Sequence, residues 1–382
     1  MKLINNRLLF LLTTCVLIAC SKEEGCIDPT ATNFNIEAEK DDGTCIYQAT
    51  AVLAPTPLPL TIPTLFFQNI NPPVIPANNP QTVEGVSLGR KLFFDPILSG
   101  DGTMACASCH SPALSFTDSN QFSTGITLQE GNRNSMAIVN AAWNWNGQFF
   151  WDGRANSLEN QALDPVVNPI EMNNTWPNAM AHLQADANYP SLFKAAFGTP
   201  TIDSTLVTKA LAQFERTLIT ANSRFDQFLL GQTPLTSAEL SGFSIYMDEN
   251  GGDCFHCHGQ ANQPLWTDNE FHNNGLDALF LDIGLGNVTG NAADNGKFKT
   301  PTLRNLAYTA PYMHDGRFNT LDEVIDHYSS GLVSSSTVDP LLKYIGQGGV
   351  QLTPSEKADL KAFLLSLSDP EFTTNPNFQD PN

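Results

Sequence analysis

Apolar residues recur at helical spacing along most of this chain, while the strict alternation typical of strands is scarce. Three segments open with a capping box, in which a Thr caps the helix and a Glu three residues later bonds back; they begin at Thr236, Thr320 and Thr353. Gly331 is placed to end the helix that follows Thr320. The apolar pattern between Val207 and Phe225 predicts one long helix. The sequence therefore predicts a mainly α-helical protein.

The charge and the hydrophobic content of the chain exclude some classes of binding partner and of structure. The 382 residues include 39 Asp and Glu against 19 Lys and Arg, which gives a net charge of −20. This balance argues against nucleic acid or an anionic membrane surface as the main partner. A hydrophobic content of 41% excludes disorder of the whole chain. The length predicts roughly two to three domains.

Residues 1–20 have the pattern of an export signal. Lys2 and Arg7 are followed by an apolar run over residues 8–19 that is too short to span a bilayer. The run ends in Leu17-Ile18-Ala19-Cys20, which resembles the lipobox of bacterial lipoproteins, where Cys20 would carry the lipid. The alternative is an ordinary secretory signal with a chance cysteine. Both interpretations predict an exported protein, in the periplasm or at the outer membrane or cell surface. The lipobox interpretation adds a lipid anchor at Cys20 as the one membrane attachment.

Residues 21–79 are predicted to form a small two-cysteine module and a linker rich in Pro, Thr and Asn. Cys26 and Cys45 flank acidic turns, and this arrangement resembles a module of bacterial surface proteins in which the two cysteines pair. The resemblance and the oxidising compartment imply a Cys26–Cys45 disulfide. The acidic turn at residues 41–44 is either a calcium ligand or simply solvated.

Two C-x-x-C-H motifs carry the chemistry of the chain, at Cys106–His110 and at Cys254–His258. Positions i, i+3 and i+4 share one face of a helical turn, so two thiols can attach one haem and the histidine can bind its iron. A redox dithiol or a zinc site are the alternatives, but neither explains the histidine after each pair. We therefore expect two covalently attached c-type haems. Their expected hosts are two cytochrome-c-like helical domains, residues 80–232 and residues 233–382.

Six segments surround the two motifs in a characteristic order. They are Leu88-Gly89-Arg90-Lys91-Leu92-Phe93-Phe94-Asp95-Pro96, Gly131-Asn132-Arg133-Asn134, Phe150-Trp151-Asp152-Gly153-Arg154-Ala155, Asn168-Pro169-Ile170-Glu171-Met172, Thr302-Leu303-Arg304-Asn305 and Pro311-Tyr312-Met313-His314-Asp315-Gly316-Arg317. This order resembles the bacterial dihaem cytochrome c peroxidase/MauG superfamily over about residues 80–370. The resemblance implies that the N-terminal haem meets peroxide and that the C-terminal haem handles electrons.

The resemblance implies roles for single residues. Glu171 matches the distal acid–base glutamate, Gln161 the polar residue that orders it, and Trp151 the relay between the haems. Asn134, with the carbonyls of Thr309 and Pro311, matches the ligands of a calcium ion between the domains, and an oxygen set suits that cation. Each residue also has a purely structural alternative. Glu171 could be a surface carboxylate, Trp151 a packed core side chain and Asn134 a residue that caps a turn.

Two departures from the family pattern affect the haem ligands. Ile126 stands where the usual peroxidases place a histidine on the first haem iron, so that iron is expected to be five-coordinate or water-bound. No methionine follows Met313 to serve as sixth ligand of the second haem. Tyr328 falls at the corresponding spacing, as in MauG, and a tyrosinate would lower the potential. His327 is the rival ligand, although neighbouring helical positions cannot both face the iron.

Three functions follow from these expectations. The first is a dihaem cytochrome c peroxidase that reduces hydrogen peroxide to water with electrons from a small c-type cytochrome or similar donor. The second is a MauG-like oxidase of a protein or small molecule that uses a high-valent iron state. The third is an electron-transfer cytochrome, which the lost histidine disfavours. Family members are often dimers, so a homodimer is one alternative, and the sequence leaves the oligomeric state open.

Overall fold

The computed structural model describes residues 22–46 and 54–381. The export signal and Cys20 lie outside the described residues, so the lipid-anchor prediction stays a prediction. The chain divides into two compact units, residues 1–52 and residues 53–382. No helix within the described ranges is both long and apolar enough to cross a bilayer.

Helices far outnumber strands in the described residues, which confirms the predicted mainly α-helical class at that level. Two short sheets are present: β1 (Glu24–Gly25) pairs in parallel with β2 (Lys40–Asp41), and β3 (Phe271–His272) pairs antiparallel with β4 (Phe298–Lys299). Short 3-10 turns and one π-helical turn, His327–Gly331, connect the helices. The helices are α1 (Thr64–Asn69), α2 (Val83–Phe94), α3 (Leu158–Gln161), α4 (Asp164–Val167), α5 (Trp176–Ala185), α6 (Tyr189–Phe197), α7 (Ser204–Glu215), α8 (Arg224–Leu229), α9 (Ser237–Met247), α10 (Phe255–His258), α11 (Gly286–Thr289), α12 (Leu321–Asp326), α13 (Pro354–Ser366) and α14 (Pro370–Thr374).

The small N-terminal unit contains a disulfide between Cys26 and Cys45. The two aspartates of its 41–44 turn bond within that turn: Asp42 accepts from both the backbone and the hydroxyl of Thr44, and Asp41 accepts from the Gly43 N–H. These bonds lie within the turn itself, and the choice between a calcium ligand and a solvated turn stays a prediction.

Each half of the larger unit is built on a helix pair that crosses at a glycine. A Cβ on Gly89 of α2 would lie 1.9 Å from the Ala210 carbonyl oxygen of α7, and one on Gly242 of α9 would lie 2.0 Å from the Asp359 carbonyl oxygen of α13. Only glycine allows backbones to approach this closely. The two crossings bring apolar faces together and set the positions of two cores.

Aromatic side chains fill both cores. Phe93 and Phe214 meet edge to face, with ring centroids 5.3 Å apart, in the first core. Phe225 contacts Trp266 and Phe363 in the same way in the second, at 5.4 and 5.2 Å. Such pairs add about 0.5–1.5 kcal/mol beyond the area they bury.

The C-terminal segment returns to the first core. Phe372 and Phe378 join that cluster, and Arg90 donates to the carbonyls of Pro376 and Gln379. Residues 54–79, predicted as part of a linker, include α1, whose Phe66 is buried against Trp143. The domain division predicted at 232/233 stays a prediction, but both chain ends of the larger unit pack on residues of its first half.

The prediction of one long helix between Val207 and Phe225 is wrong. The chain leaves α7 at Glu215, and α8 begins only after Ser223, which caps it reciprocally with Asp226. Between the two helices, the Thr220 N–H donates to Asn140 Oδ1. A hydrogen bond to a residue distant in the sequence thus holds the chain between α7 and α8 outside a helix, although the apolar spacing alone predicts a continuous helix.

A fully buried ion pair joins α8 to the segment after β4. Arg304 donates through both terminal nitrogens to Asp226, at 2.7 and 2.8 Å, and both side chains are almost completely buried. Removing one partner of such a pair leaves the other charge buried and unpaired in the core.

We therefore expect Arg304→Met to lower the free energy of unfolding of the haem-loaded protein by about 3–5 kcal/mol. The control is Lys361→Met, which removes the partly exposed pair with Asp322 and should cost under about 1 kcal/mol. Urea denaturation followed by circular dichroism measures both. Equal effects of the two substitutions would contradict the expectation.

Candidate functional site

One cavity of about 860 Å³ lies in the larger unit and is lined by residues of both C-x-x-C-H motifs. Every site residue predicted there from the sequence lines this cavity. They are Cys106, Cys109, His110, Asn134, Trp151, Gln161, Glu171, Cys254, Cys257, His258, Thr309, Pro311 and Tyr328. The sequence places these residues up to 222 positions apart, and the fold brings them to one space.

The two motifs adopt tight turns at the cavity wall. Cys106–Ser108 form a 3-10 turn and Phe255–His258 form α10. In both motifs the histidine N–H donates to the carbonyl of the first cysteine at 3.0 Å, which places the thiols and the imidazole on one side of the turn. The four cysteines are unpaired thiols.

Both imidazoles suit iron ligation. Burial lowers the pKa of His110, and it lowers the pKa of His258 to about 4, so both rings are neutral at pH 7. His110 Nδ1 bonds the Phe116 carbonyl at 2.8 Å, which leaves Nε2 as the ligand atom. Paired thiols, a neutral imidazole and a large apolar cavity are what a covalently attached haem requires, so the residues present fit two such groups.

Glu171 is held at the end of the turn that follows α4. Asn168 Nδ2 donates to Glu171 Oε1 at 2.6 Å, and the Glu171 N–H donates to the Asn168 carbonyl. Burial raises the pKa of Glu171 above its ordinary value, while the bond from Asn168 works against this shift. Since Oε1 is engaged, Oε2 is the oxygen left for a ligand in the cavity. Asn168 was not predicted from the sequence, although it lies in the same motif as Glu171.

The loop containing Ile126 is fixed against the Glu171 turn. The Ile126 N–H donates to the Glu171 carbonyl at 3.0 Å, and a Cβ on Gly125 would lie 2.2 Å from the Ile170 carbonyl oxygen. Gly125 lines the cavity, whereas Ile126 Cδ1 lies beside Gly100. The loop thus presents backbone to the cavity at this point.

Trp151 connects the two halves at the cavity wall. Its indole Nε1 donates to the Asn134 carbonyl at 2.8 Å, and its own carbonyl accepts from the Lys299 N–H at 2.9 Å. The Asn134 N–H in turn donates to the His314 carbonyl. Gly153, at φ +75°, lies so close to the Phe271 ring that a Cβ would be 2.6 Å from it. Asn134 Nδ2 donates to the Asn120 carbonyl, which leaves its Oδ1 for a cation.

Tyr328 and His327 face different surroundings. Tyr328 lines the cavity, and its hydroxyl accepts from Asn274 Nδ2 at 3.3 Å; the same amide lies 3.4 Å from Met313 Sδ. His327 Nε2 is instead paired with the Asn274 carbonyl at 3.1 Å. Burial raises the pKa of Tyr328 to about 12, so its phenol stays protonated unless a cation lies against it.

His272 occupies the wall near the second motif between two carboxylates. Its ring nitrogens bond Asp339 at 2.5 Å and Asp268 at 2.9 Å, and these bonds raise its pKa to about 12. The imidazole is therefore a satisfied, cationic part of the wall. Lys299 is a second buried cation that the sequence motifs do not reveal.

Comparison with known proteins agrees with this arrangement. A sequence model of the di-haem cytochrome c peroxidase family matches residues 83–234. The chain is 35% identical to the methylamine utilization protein MauG of Methylophilus methylotrophus, over 76% of this chain and 84% of that protein. It is 36% identical to the cytochrome c551 peroxidase of Nitrosomonas europaea, over 67% and 76% of the two chains.

A solved structure extends the similarity to the fold. The crystal structure of a MauG-like protein associated with microbial copper homeostasis superposes with a TM-score of 0.75 at 36% identity. The match covers 85% of this chain and 99% of that one. The chain thus belongs to the di-haem cytochrome c peroxidase and MauG family.

Proposed function

We propose that this protein is a dihaem peroxidase that reduces hydrogen peroxide to water with two electrons and two protons. The electrons would come from a small c-type cytochrome or a similar donor, as the name of the Nitrosomonas relative suggests. The observation that carries the proposal is that one cavity is lined by both C-x-x-C-H motifs and by Glu171, whose Oε1 is bonded to Asn168 and whose Oε2 is left for a ligand.

The two motifs would hold the haems. Cys106 and Cys109 would attach the first haem with His110 as its ligand, and Cys254, Cys257 and His258 would do the same for the second. When bound, the first haem supplies the iron at which peroxide can bind and accept electrons. The exported location predicted from residues 1–20 fits this chemistry, with Cys20 as the proposed lipid site.

Glu171 would move the protons. Its Oε2 is positioned by the bond between Oε1 and Asn168, so it can take a proton from one peroxide oxygen and return it to the other, which leaves as water. Gln161, which lines the same cavity, would order the bound peroxide and the carboxylate. The carboxylate must start ionised to act as the base.

The first haem would be open to peroxide as made. The loop around Ile126 is bonded to the Glu171 turn through its backbone and offers no imidazole to the cavity. Prior reduction of the second haem would then not be needed to free the first.

Tyr328 would be the sixth ligand of the second haem. Its hydroxyl faces the cavity, whereas the Nε2 of His327 is already bonded to a carbonyl. A bound tyrosinate would lower the potential of that haem. Trp151, which links Asn134 to β4, would carry electrons between the two haems.

The proposal also includes a bound calcium ion and a homodimer. Asn134 Oδ1 with the carbonyls of Thr309 and Pro311 would supply oxygen ligands to calcium at the junction of the two halves. The homodimer rests on the family alone.

A MauG-like oxidase of a protein or small molecule is the second candidate function. The cavity-facing Tyr328 favours it, together with 36% identity to a MauG-like protein over nearly that whole chain. The two functions share Glu171 and differ in where the electrons originate.

We expect the all-ferric protein, as isolated, to oxidise a reduced c-type cytochrome when peroxide is added. Glu171→Gln should lower this rate by about 10²–10⁴, the usual contribution of an acid–base group. The wild-type rate should fall as the pH drops through the raised pKa of Glu171, on an acid limb above the ordinary value of 4.5. Stopped-flow absorbance of the cytochrome measures both.

Asn168→Asp is the matched variant for this experiment. It keeps the acceptor for the Ile170 N–H but removes the donor to Glu171, so the acid limb should move to higher pH. Peroxide consumption without cytochrome oxidation would support the MauG-like function instead. A protein that loads both haems and ignores peroxide, even after reduction, would contradict both functions.

We expect Trp151→Phe to slow steady oxidation of the cytochrome by about tenfold, or roughly 1.4 kcal/mol in the barrier. The variant keeps a ring in the wall but loses the bond to the Asn134 carbonyl and the more easily oxidised indole. Trp145→Phe is the control, because Trp145 is 42% exposed and bonds the Pro72 carbonyl. An unchanged rate in Trp151→Phe would exclude the relay role.

We expect Tyr328→Phe to change the ferric absorption and electron paramagnetic resonance signals of the second haem and to raise its potential. His327→Gln, which keeps a donor near the Asn274 carbonyl, should leave these signals as in the wild type. If His327→Gln removes the axial-ligand signature and Tyr328→Phe does not, His327 is the ligand.

A further inference from the structure

Four lysine and arginine side chains line the cavity, and three of them already have carboxylate partners. Arg133 pairs with Asp152 and with Asp282, each at 2.6 Å, and Arg304 pairs with Asp226. Arg154 pairs with Asp152 at 3.1 Å. The fourth cation is Lys299.

Lys299 is buried without a counter-ion. It is 6% exposed, and its Nζ donates to the Asn269 carbonyl at 2.7 Å and to Asn144 Oδ1 at 3.4 Å. No carboxylate within the described ranges forms a salt bridge with it: the nearby Asp268 is bonded to His272, and Glu270 is exposed. The Phe271 ring lies 5.5 Å from the ammonium.

A buried ammonium that has only neutral acceptors is costly, because the dipoles of two oxygens replace its hydration incompletely. Burial lowers the pKa of Lys299 to about 8, so the side chain is still mostly protonated at pH 7. An anion in the cavity would remove most of this cost. Each haem brings two propionate carboxylates on an otherwise apolar ring.

The strand of Lys299 connects it to the second motif. Its bond partner Asn269 follows Asp268, whose N–H donates to the Cys257 carbonyl at 2.9 Å. The cavity is also lined by the three residues that follow β4, Thr300, Pro301 and Thr302. The second haem is thus the one whose attachment site is joined to the Lys299 ammonium by hydrogen bonds.

We propose that Lys299 forms a buried ion pair with a propionate of the haem attached at Cys254 and Cys257. The inference rests on the two covalent haems of the proposed function. The ion pair neutralises a carboxylate close to the iron and so raises the potential of the second haem. It also lies next to the relay residue, because the Lys299 N–H donates to the Trp151 carbonyl.

The test measures the potential of each haem in the loaded protein. Lys299→Met removes the charge at similar length, and Lys299→Gln keeps a donor for the Asn269 carbonyl should the Met variant fail to fold. Lys297→Met is the matched control, because Lys297 lies two positions away and pairs with Asp294 at 3.0 Å. Spectroelectrochemical titration gives the potentials, and resonance Raman spectra report the propionate bending bands.

In both Lys299 variants, at a fixed applied potential, the ratio of ferrous to ferric second haem should fall about tenfold, which is about 59 mV for one electron. A propionate bending band should shift with it, and Lys297→Met should change neither. An unchanged potential and an unchanged Raman band in a loaded Lys299 variant would overturn the ion pair, as would an equal shift in Lys297→Met. A chain that attaches no haem would instead overturn the proposed function.

Discussion

A single buried hydrogen bond, from the Trp151 indole to the Asn134 carbonyl, fixes the wall that both haem motifs share. The bond is made possible by neighbours on each side: the Asn134 N–H holds the His314 carbonyl, and the Trp151 carbonyl holds β4. Residues from four separate segments are therefore positioned together. Any relay between the halves depends on this arrangement, because the indole cannot turn away without leaving a buried carbonyl unpaired.

The electrostatics of the cavity follow one rule, that each buried charge meets an opposite one. His272 is held by two carboxylates and Arg304 by one. Glu215 shows the neutral alternative: it lines the cavity without a bonded partner at Oε2, and burial raises its pKa to about 8. Among the lysine and arginine side chains that line the cavity, Lys299 is the one with no carboxylate partner in the described residues, and a haem propionate is the partner proposed for it.

Much of the site could be predicted from the sequence because its chemistry is local. The spacing of Cys106, Cys109 and His110 places all three on one face of a helical turn, and the family resemblance assigns residues such as Glu171 from the motif in which they stand. The capping boxes at Thr236, Thr320 and Thr353 likewise begin helices where expected, because each box satisfies its own backbone donors.

Interactions between distant residues could not be predicted in this way. The break between α7 and α8 depends on bonds from Asn140 to Thr220. The return of Phe372 to the first core is invisible in the periodicity of its own segment. Lys299 sits in no motif, and only the fold shows that its ammonium is buried and without a carboxylate. The sequence alone does not show which polar groups the fold buries next to one another.

A local irregularity of the backbone gives Tyr328 and His327 different surroundings. Both follow α12, but the chain continues as a π-helical turn over residues 327–331, which changes the angle between neighbouring side chains. The imidazole is turned to the Asn274 carbonyl, while the phenol is turned to the cavity and to the amide of the same residue. Asn274 thus satisfies the histidine with its backbone and orients the tyrosine with its side chain. A histidine so engaged would have to break a buried bond to reach the iron, whereas the phenol needs only to lose a proton.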